Sequence, residues 1–174
     1  GQQWRLALAL LRELEGAGPA PSLISFSTAI GACARGHCWG TAVRLLRLPA
    51  EWRLRPAAAT FAVAVQACGM ASQWPVALCL LEEAQSTWPE DSLPVHNAAI
   101  TACAEGSSWP QALALLRDVA LRRHGGLPGP DVETYDAAMS ACERGQHWAR
   151  SLQLFQAMQA AMLEPSLISF NAAI

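Results

Sequence analysis

The chain has 174 residues, of which 52 % are hydrophobic and 15 % are charged, and its formal net charge is −2. This length and composition are typical of one folded domain with a substantial core, and they exclude a disordered polar chain. No apolar run approaches the roughly 18 residues that a membrane-spanning helix needs. The small negative charge gives by itself no electrostatic indication of nucleic-acid binding.

One short phrase recurs along the whole chain and ends each time in a cysteine, with a tryptophan six residues later. The cysteines and tryptophans in register are Cys33, Cys68, Cys103 and Cys142, and Trp39, Trp74, Trp109 and Trp148. The cysteine steps are 35, 35 and 39 residues, and Trp4 occupies the same position in an incomplete first copy. A period of this length indicates stacked supersecondary units, as in a solenoid.

In chain order, the units are a partial repeat at 1–22, complete repeats at 23–57, 58–92, 93–131 and 132–166, and a partial repeat at 167–174. The repeat at 93–131 is longer because of an insertion in the glycine-rich stretch around His124. We therefore expect a segment of a longer array. The apolar surface that remains unpaired at its two ends should make the isolated segment associate end to end.

Each complete repeat carries two helical patterns. In the first, Phe26, Ala29, Ile30 and Cys33 follow the 3.6-residue spacing of one helix face. Gly36, Gly106 and Gly145 come next, where a helix end favours a left-handed residue. These patterns predict an all-α fold, an α-solenoid of stacked antiparallel helix pairs.

The second helical pattern begins at the tryptophan, and Pro75 and Pro110 suit its first turn because a missing N–H costs nothing there. A small residue in the middle of this helix predicts close helix packing, and we expect the tryptophans to be packing residues. The small residues are Ala7, Ala42, Ala77, Ala112 and Ser151.

No residue pattern predicts catalysis. The chain has no Cys-x-x-Cys pair, phosphate-binding loop, GxGxxG or GxSxG, and its four histidines stand alone in the sequence. Cysteines one repeat apart lie about 10 Å from each other in stacked helix pairs, which is too far for a disulfide. We therefore expect buried reduced thiols, no cofactor, no metal, no small-molecule substrate and no enzymatic activity.

The repeats resemble those of the pentatricopeptide repeat family. The shared features are the period of about 35 residues, the opening Asn97-Ala98-Ala99-Ile100, and the closing Pro-Asp or Pro-Ser. The tryptophan at the head of the second helix is similar to repeats of algae and other protists. The resemblance covers the whole chain and implies an α-solenoid that binds single-stranded RNA, about one base per repeat. It also implies a mitochondrial or plastid protein that acts in RNA processing, stability, editing or translation.

The resemblance implies that bases are selected by the residue after the opening aromatic position together with the last residue of the repeat. These pairs are Ser27 with Ala57, Ala62 with Ser92, Asn97 with Asp131, and Asp136 with Ser166, while Asn171 has no partner in the sequence. Among them, Asn97 with Asp131 matches a familiar pairing, the one that selects uracil.

The second residue of each repeat is implied to clamp the bases, and cations at the end of the first helix are implied to contact phosphates. Ile24, Ala59 and Ile168 fit the clamp, whereas Pro94 and Glu133 depart from it. At the phosphate positions Arg35 and Arg144 fit, whereas Met70 and Glu105 do not. Because phosphate contacts supply most non-specific affinity, we expect this segment alone to bind RNA weakly.

The alternative to RNA binding is a protein-binding scaffold similar to the tetratricopeptide repeats. Its support is the mild acidity of the chain, with Glu133 and Asp136 on the inferred groove, and against it stands the 35-residue period. A third possibility is a spacer within a larger enzyme.

Overall fold

The computed structural model describes residue 9 and residues 23–48 and 55–173, so Trp4 and Ala7 lie outside the described residues. The helices of these ranges are Leu23–Arg35 (α1), Trp39–Arg47 (α2), Ala58–Met70 (α3), Trp74–Thr87 (α4), Leu93–Glu105 (α5), Trp109–Arg122 (α6), Val132–Arg144 (α7), Trp148–Ala160 (α8) and Leu167–Ala173 (α9). A short 3-10 helix, Arg123–Gly125, follows α6. The described ranges contain no strand, and none of their helices has the length and hydropathy to cross a bilayer. The predicted all-α fold is confirmed.

The helices form two layers. The first helices of successive repeats, α1, α3, α5, α7 and α9, pack directly against one another in a row. Each of α2, α4 and α6 packs against the first helix of its own repeat and that of the next, but the second helices make no extended contact among themselves. The row of first helices is therefore the more closely spaced layer, and it forms the inner side of the predicted α-solenoid.

Small residues bring the first helices close together. Gly69 of α3 lies directly over α5, where an added Cβ would stand 2.8 Å from the Ala102 Cα. In the second helices, the predicted small residues Ala42, Ala77, Ala112 and Ser151 are all fully buried. A glycine thus stands where α3 and α5 approach each other most closely, and the small residues of the second helices lie in the core.

The four repeated cysteines are buried free thiols, as predicted. Burial raises the pKa of Cys68 and of Cys103 to about 11. These thiols stay protonated near neutral pH and act as small apolar core residues.

The tryptophans pack against the turn of the following repeat. A Cβ on Gly106 would overlap the Trp74 Cδ1, and a Cβ on Gly145 would stand 2.8 Å from the Trp109 Cδ1. Both indoles are half-buried. Within the described ranges no such turn covers Trp148, which is 74 % exposed and so departs from the predicted packing role. The packing role of each indole therefore depends on the repeat that follows it.

The prediction that the turn glycines are left-handed is wrong. Gly106 and Gly145 have φ of −84° and −78°, and the next residues, Ser107 and Gln146, have φ of 56° and 59°. The turn is a Schellman motif, because the Ser108 N–H donates to the Cys103 carbonyl (2.8 Å). Glycine occurs here because the indole leaves no room for a Cβ.

His96 replaces the opening aromatic residue and is fully buried. Its Nδ1 donates to the Ser92 carbonyl (2.8 Å), so the other nitrogen, Nε2, accepts from Gln85 (2.6 Å) and Arg122 (3.0 Å). Burial lowers the pKa of His96, and the Arg122 charge adds to this, while the Ser92 bond and Asp118 oppose it. Arg122 also donates to the Pro89 carbonyl, so its guanidinium links α6 to the connection between α4 and α5.

Replacing Gly106 with alanine should destabilise the protein, because the new methyl group meets the Trp74 ring. We expect G106A to lower the free energy of unfolding by about 1–3 kcal/mol, measured by urea denaturation followed by circular dichroism. The matched control is G125A, since a Cβ on Gly125 meets nothing within 4 Å. Equal effects of the two substitutions would show that the indole contact is not the cause.

Acid should weaken the fold through His96. Because its folded pKa is lowered, the unfolded chain binds a proton first as the pH falls below about 6.5, and stability drops by up to about 1.4 kcal/mol per pH unit. Urea denaturation at several pH values down to about 5.5 should show a shallower pH dependence for H96F than for the native chain. Identical pH profiles would rule out a neutral buried His96.

Candidate functional site

An open depression of about 500 Å³ extends along the row of first helices. Its walls come from α3, α5 and α7 and from the start of α9. Ala62, Asn97 and Asp136 occupy equivalent positions in successive repeats, and all three line it. One candidate base-selecting residue per repeat therefore faces a shared surface, which we call the groove.

Asn97 and Asp131, the pair that the sequence singled out, are in direct contact. The Asn97 Nδ2 donates to the Asp131 Oδ1 (3.2 Å), and the Glu133 Oε2 lies 3.4 Å from the same nitrogen. The Asn97 Oδ1 accepts from the Thr134 hydroxyl (2.8 Å). The amide is therefore oriented by the last residue of its own repeat and by the start of the following one, with its oxygen towards Thr134 and its nitrogen towards the two carboxylates.

Asp131 and Thr134 also begin α7. The Asp131 side chain accepts from the Thr134 N–H (2.9 Å), and the Thr134 Oγ1 accepts from the Asp131 N–H (3.1 Å), which is a reciprocal capping box. The same two residues thus stabilise the helix N-terminus and orient the candidate base-selecting amide.

Asp136 and Ser166 form the second direct pair. The Ser166 hydroxyl donates to the Asp136 Oδ2 (2.6 Å), and the buried Ser169 hydroxyl donates to the Asp136 Oδ1. Asp136 itself is 8 % exposed. Each of its carboxylate oxygens is therefore held by a hydroxyl group, one from the last residue of its own repeat and one from the repeat that follows.

The other two pairs are not joined by their side chains. Ser27 shares a hydrogen bond with the Thr60 hydroxyl (3.0 Å), because Ala57 offers no polar side-chain atom. The Ser92 hydroxyl donates to the Pro89 carbonyl (3.1 Å), and its partner Ala62 has no polar side chain. Asn171 lies exposed on α9.

A hydroxyl residue just before the opening aromatic position joins neighbouring repeats, and the sequence prediction missed its role. Thr60, Thr134 and Ser169 each contact the candidate base-selecting residue of the preceding repeat. All three are buried. The signal was present in the sequence as the recurrent Ser-Phe, Thr-Phe and Thr-Tyr dipeptides.

The predicted clamp positions lie at the starts of the first helices and are exposed. Ile24 is 78 % exposed and Ile168 is 55 % exposed, and Ala59 is exposed as well. Pro94 and Glu133 take the equivalent positions on the groove wall, beside Asn97. Two exposed isoleucines at equivalent positions give the first-helix layer apolar surface available to a ligand.

The groove carries more carboxylates than cations. Arg144 is exposed and lines the groove, whereas Arg35 is exposed at the end of α1 outside the groove lining. Glu105, Glu133 and Asp136 also line it. Burial raises the pKa of Glu105, and the Arg144 guanidinium opposes this shift. Among the described residues, no cluster of three or more histidine, cysteine or acidic side chains is arranged to hold a metal ion.

The chain has the pentatricopeptide-repeat fold. It matches the pentatricopeptide repeat protein PPR10 in complex with an 18-nt psaJ RNA element, with a TM-score of 0.77 and 21 % identity over 98 % of this chain. A cysteine-to-serine form of the same complex matches equally, and PPR10 from maize matches with a TM-score of 0.67 and 26 % identity over 98 % of this chain. The chain spans 26 %, 26 % and 24 % of the length of these proteins. No protein-family model and no curated protein sequence matches the chain.

Replacing Thr134 with valine should destabilise the α5–α7 junction, because the Asp131 N–H and the Asn97 Oδ1 lose their partner. We expect T134V to lower the free energy of unfolding by about 1–3 kcal/mol. T28V is the matched control, since Thr28 is exposed and donates only to the Ile24 carbonyl of its own helix. A T134V protein as stable as T28V in urea denaturation would contradict the linking role of Thr134.

Proposed function

We propose that the chain binds single-stranded RNA along the groove, with about one base facing each repeat. The observation that carries this proposal is the alignment of Ala62, Asn97 and Asp136 on one open surface, each in the same position of its repeat. Helical-repeat proteins that read RNA place one base against a few side chains of each repeat. Two of the three positions here carry oriented polar groups that can discriminate between bases.

The fold supports the same proposal. The solved structures that this chain matches include PPR10 bound to an RNA element. The exposed side chains of Ile24 and Ile168 provide apolar contact surface for bases, while the polar residues beside them supply donors and acceptors. We propose a binding function without catalysis, in which any chemical step on the RNA is carried out elsewhere.

The charge of the groove sets the expected strength of binding. Arg144 supplies the positive charge of the groove lining. The carboxylates that also line the groove repel a phosphate backbone. Electrostatic affinity for nucleic acid grows with the number of phosphates neutralised. We therefore propose weak, salt-sensitive binding by this segment, which more repeats would strengthen.

The carboxylates also favour a second candidate function, the binding of a basic extended peptide. Glu105, Glu133 and Asp136 line the same groove and would attract cationic side chains. A basic peptide that competes with RNA for the groove, and that still binds after nuclease treatment, would favour this function.

We further propose that the protein works in a mitochondrion or plastid, in RNA processing, stability, editing or translation. The support is the resemblance to the pentatricopeptide repeat family. Fractionation of cells that express the natural protein would test the location, and recovery outside both organelles would reject it.

Charge reversal at Arg144 tests the RNA proposal. In fluorescence-anisotropy titrations with short single-stranded RNA, we expect R144E to weaken binding and to reduce the slope of log affinity against log salt by about 0.7 for each phosphate that is no longer neutralised. R150E is the control with the same charge change, because Arg150 is exposed on α8 away from the groove lining.

Two results would reject the proposal. One is RNA binding by the native chain that is no tighter than binding to an unrelated acidic polymer. The other is equal weakening by R144E and R150E, which would place the phosphate contact outside the groove.

A further inference from the structure

Asp136 places a carboxylate at the base-facing position of the repeat at 132–166. Its side chain lines the groove, and its hydrogen-bond partners are the Ser166 hydroxyl on Oδ2 and the Ser169 hydroxyl on Oδ1. Ser169 is fully buried, so one anchor of the carboxylate belongs to the core. The acidic group is thus held by the protein on its inner side and faces the groove on its outer side.

The carboxylate keeps acceptor capacity after these bonds. An ionised carboxylate offers about four lone-pair sites, and the two hydroxyl groups occupy two of them. Both hydroxyl protons point to Asp136, so they are not available to a ligand. The repeat therefore offers a base two acceptor atoms side by side, with a negative charge.

The edges of the four bases differ in how well they complement such a pair of acceptors. The Watson–Crick edge of guanine carries two adjacent donors, N1–H and the N2 amino group. Adenine and cytosine carry one donor beside an acceptor, and uracil carries one donor between two acceptors. An acceptor of the base placed against the carboxylate would be repelled and left unpaired, which is costly in a desolvated contact.

We propose that Asp136, held by Ser166 and Ser169, makes this repeat select guanine. The assignment rests on the proposed RNA-binding function and adds a base to it. Asp136 is the specificity-determining residue, and the two serines are positioning residues.

The two preceding repeats offer an internal contrast. Ala62 presents no polar side-chain atom, so it cannot form a hydrogen bond with a base. Asn97 uses its oxygen for Thr134 and directs its nitrogen, the donor, towards Asp131 and Glu133. Of the three, Asp136 presents an acceptor-only group to the groove.

The test compares short uridine strands that carry one guanine, adenine or cytosine at the centre, so that sliding of the strand lets that base reach any repeat. The native chain should bind the guanine strand about fivefold or more tightly than the others, as one good bidentate contact implies. Inosine, which keeps N1–H but lacks the N2 amino group, should lose most of that advantage. This comparison uses the native chain alone and does not depend on the folding of a variant.

D136N should remove the guanine preference while the uridine strand is still bound, because an amide offers one donor and one acceptor in the same shape. D118N is the matched control, since Asp118 is an exposed carboxylate of α6 outside the groove lining. S166A should reduce the preference without reversing it, because it releases one oxygen of the carboxylate.

The outcomes separate the two proposals. If no strand binds, the RNA-binding function itself fails. If the uridine strand binds and guanine gives no advantage, or if D136N keeps that advantage, then RNA binding stands and the role of Asp136 is overturned. Equal affinity for guanine and inosine would also overturn the paired-donor contact.

Discussion

The close approach of successive first helices is the constraint on which the rest of the structure depends. At Gly69 the backbone of α5 comes so near to α3 that a Cβ would overlap the Ala102 Cα. This spacing places the candidate base-selecting residue of one repeat within hydrogen-bonding distance of the next repeat, as in the contacts of Asn97 and Asp136. The second helices do not pack directly against one another as the first helices do. The row of first helices is therefore the inner layer, and the groove lies along it.

The repeat period was enough to predict the helices and their stacking from the sequence. The apolar residues of α1 recur every 3.6 residues, which identifies its buried face. A period near 35 residues indicates helix pairs that bury their apolar faces against the neighbouring copies. The family resemblance paired Asn97 with Asp131 as base-selecting residues. Their side chains are in contact in the structure, and their selection of uracil stays a prediction. The periodic part of the fold therefore follows from the sequence alone.

The parts that the sequence did not predict depend on contacts between repeats. Gly106 looks like a left-handed cap in the sequence, but its lack of a Cβ is required by an indole that comes from the preceding repeat. Arg122 contacts His96 and the Pro89 carbonyl only because α5 and α6 are packed together, and its neighbours in the sequence do not indicate these partners. A local sequence pattern does not indicate which residue, about 30 positions away in the chain, will contact it in the fold.

Two of the groove residues also join neighbouring repeats, so their proposed role in base selection is tied to the stability of the stack. Asn97 and Asp136 face the groove, but each is also bonded to a buried hydroxyl residue that joins its repeat to the next one. A substitution of Asn97 or Asp136 changes a hydrogen bond at the junction between repeats, and its effect on stability depends on whether the hydroxyl group bonds to another partner. Where the candidate base-selecting residue is alanine, as at Ala62, the equivalent buried position is Val95, so the junction is apolar on both sides. The candidate base-selecting residue and the buried residue at the start of the next repeat thus match in polarity: both are polar where they share a hydrogen bond, and both are apolar at Ala62 and Val95.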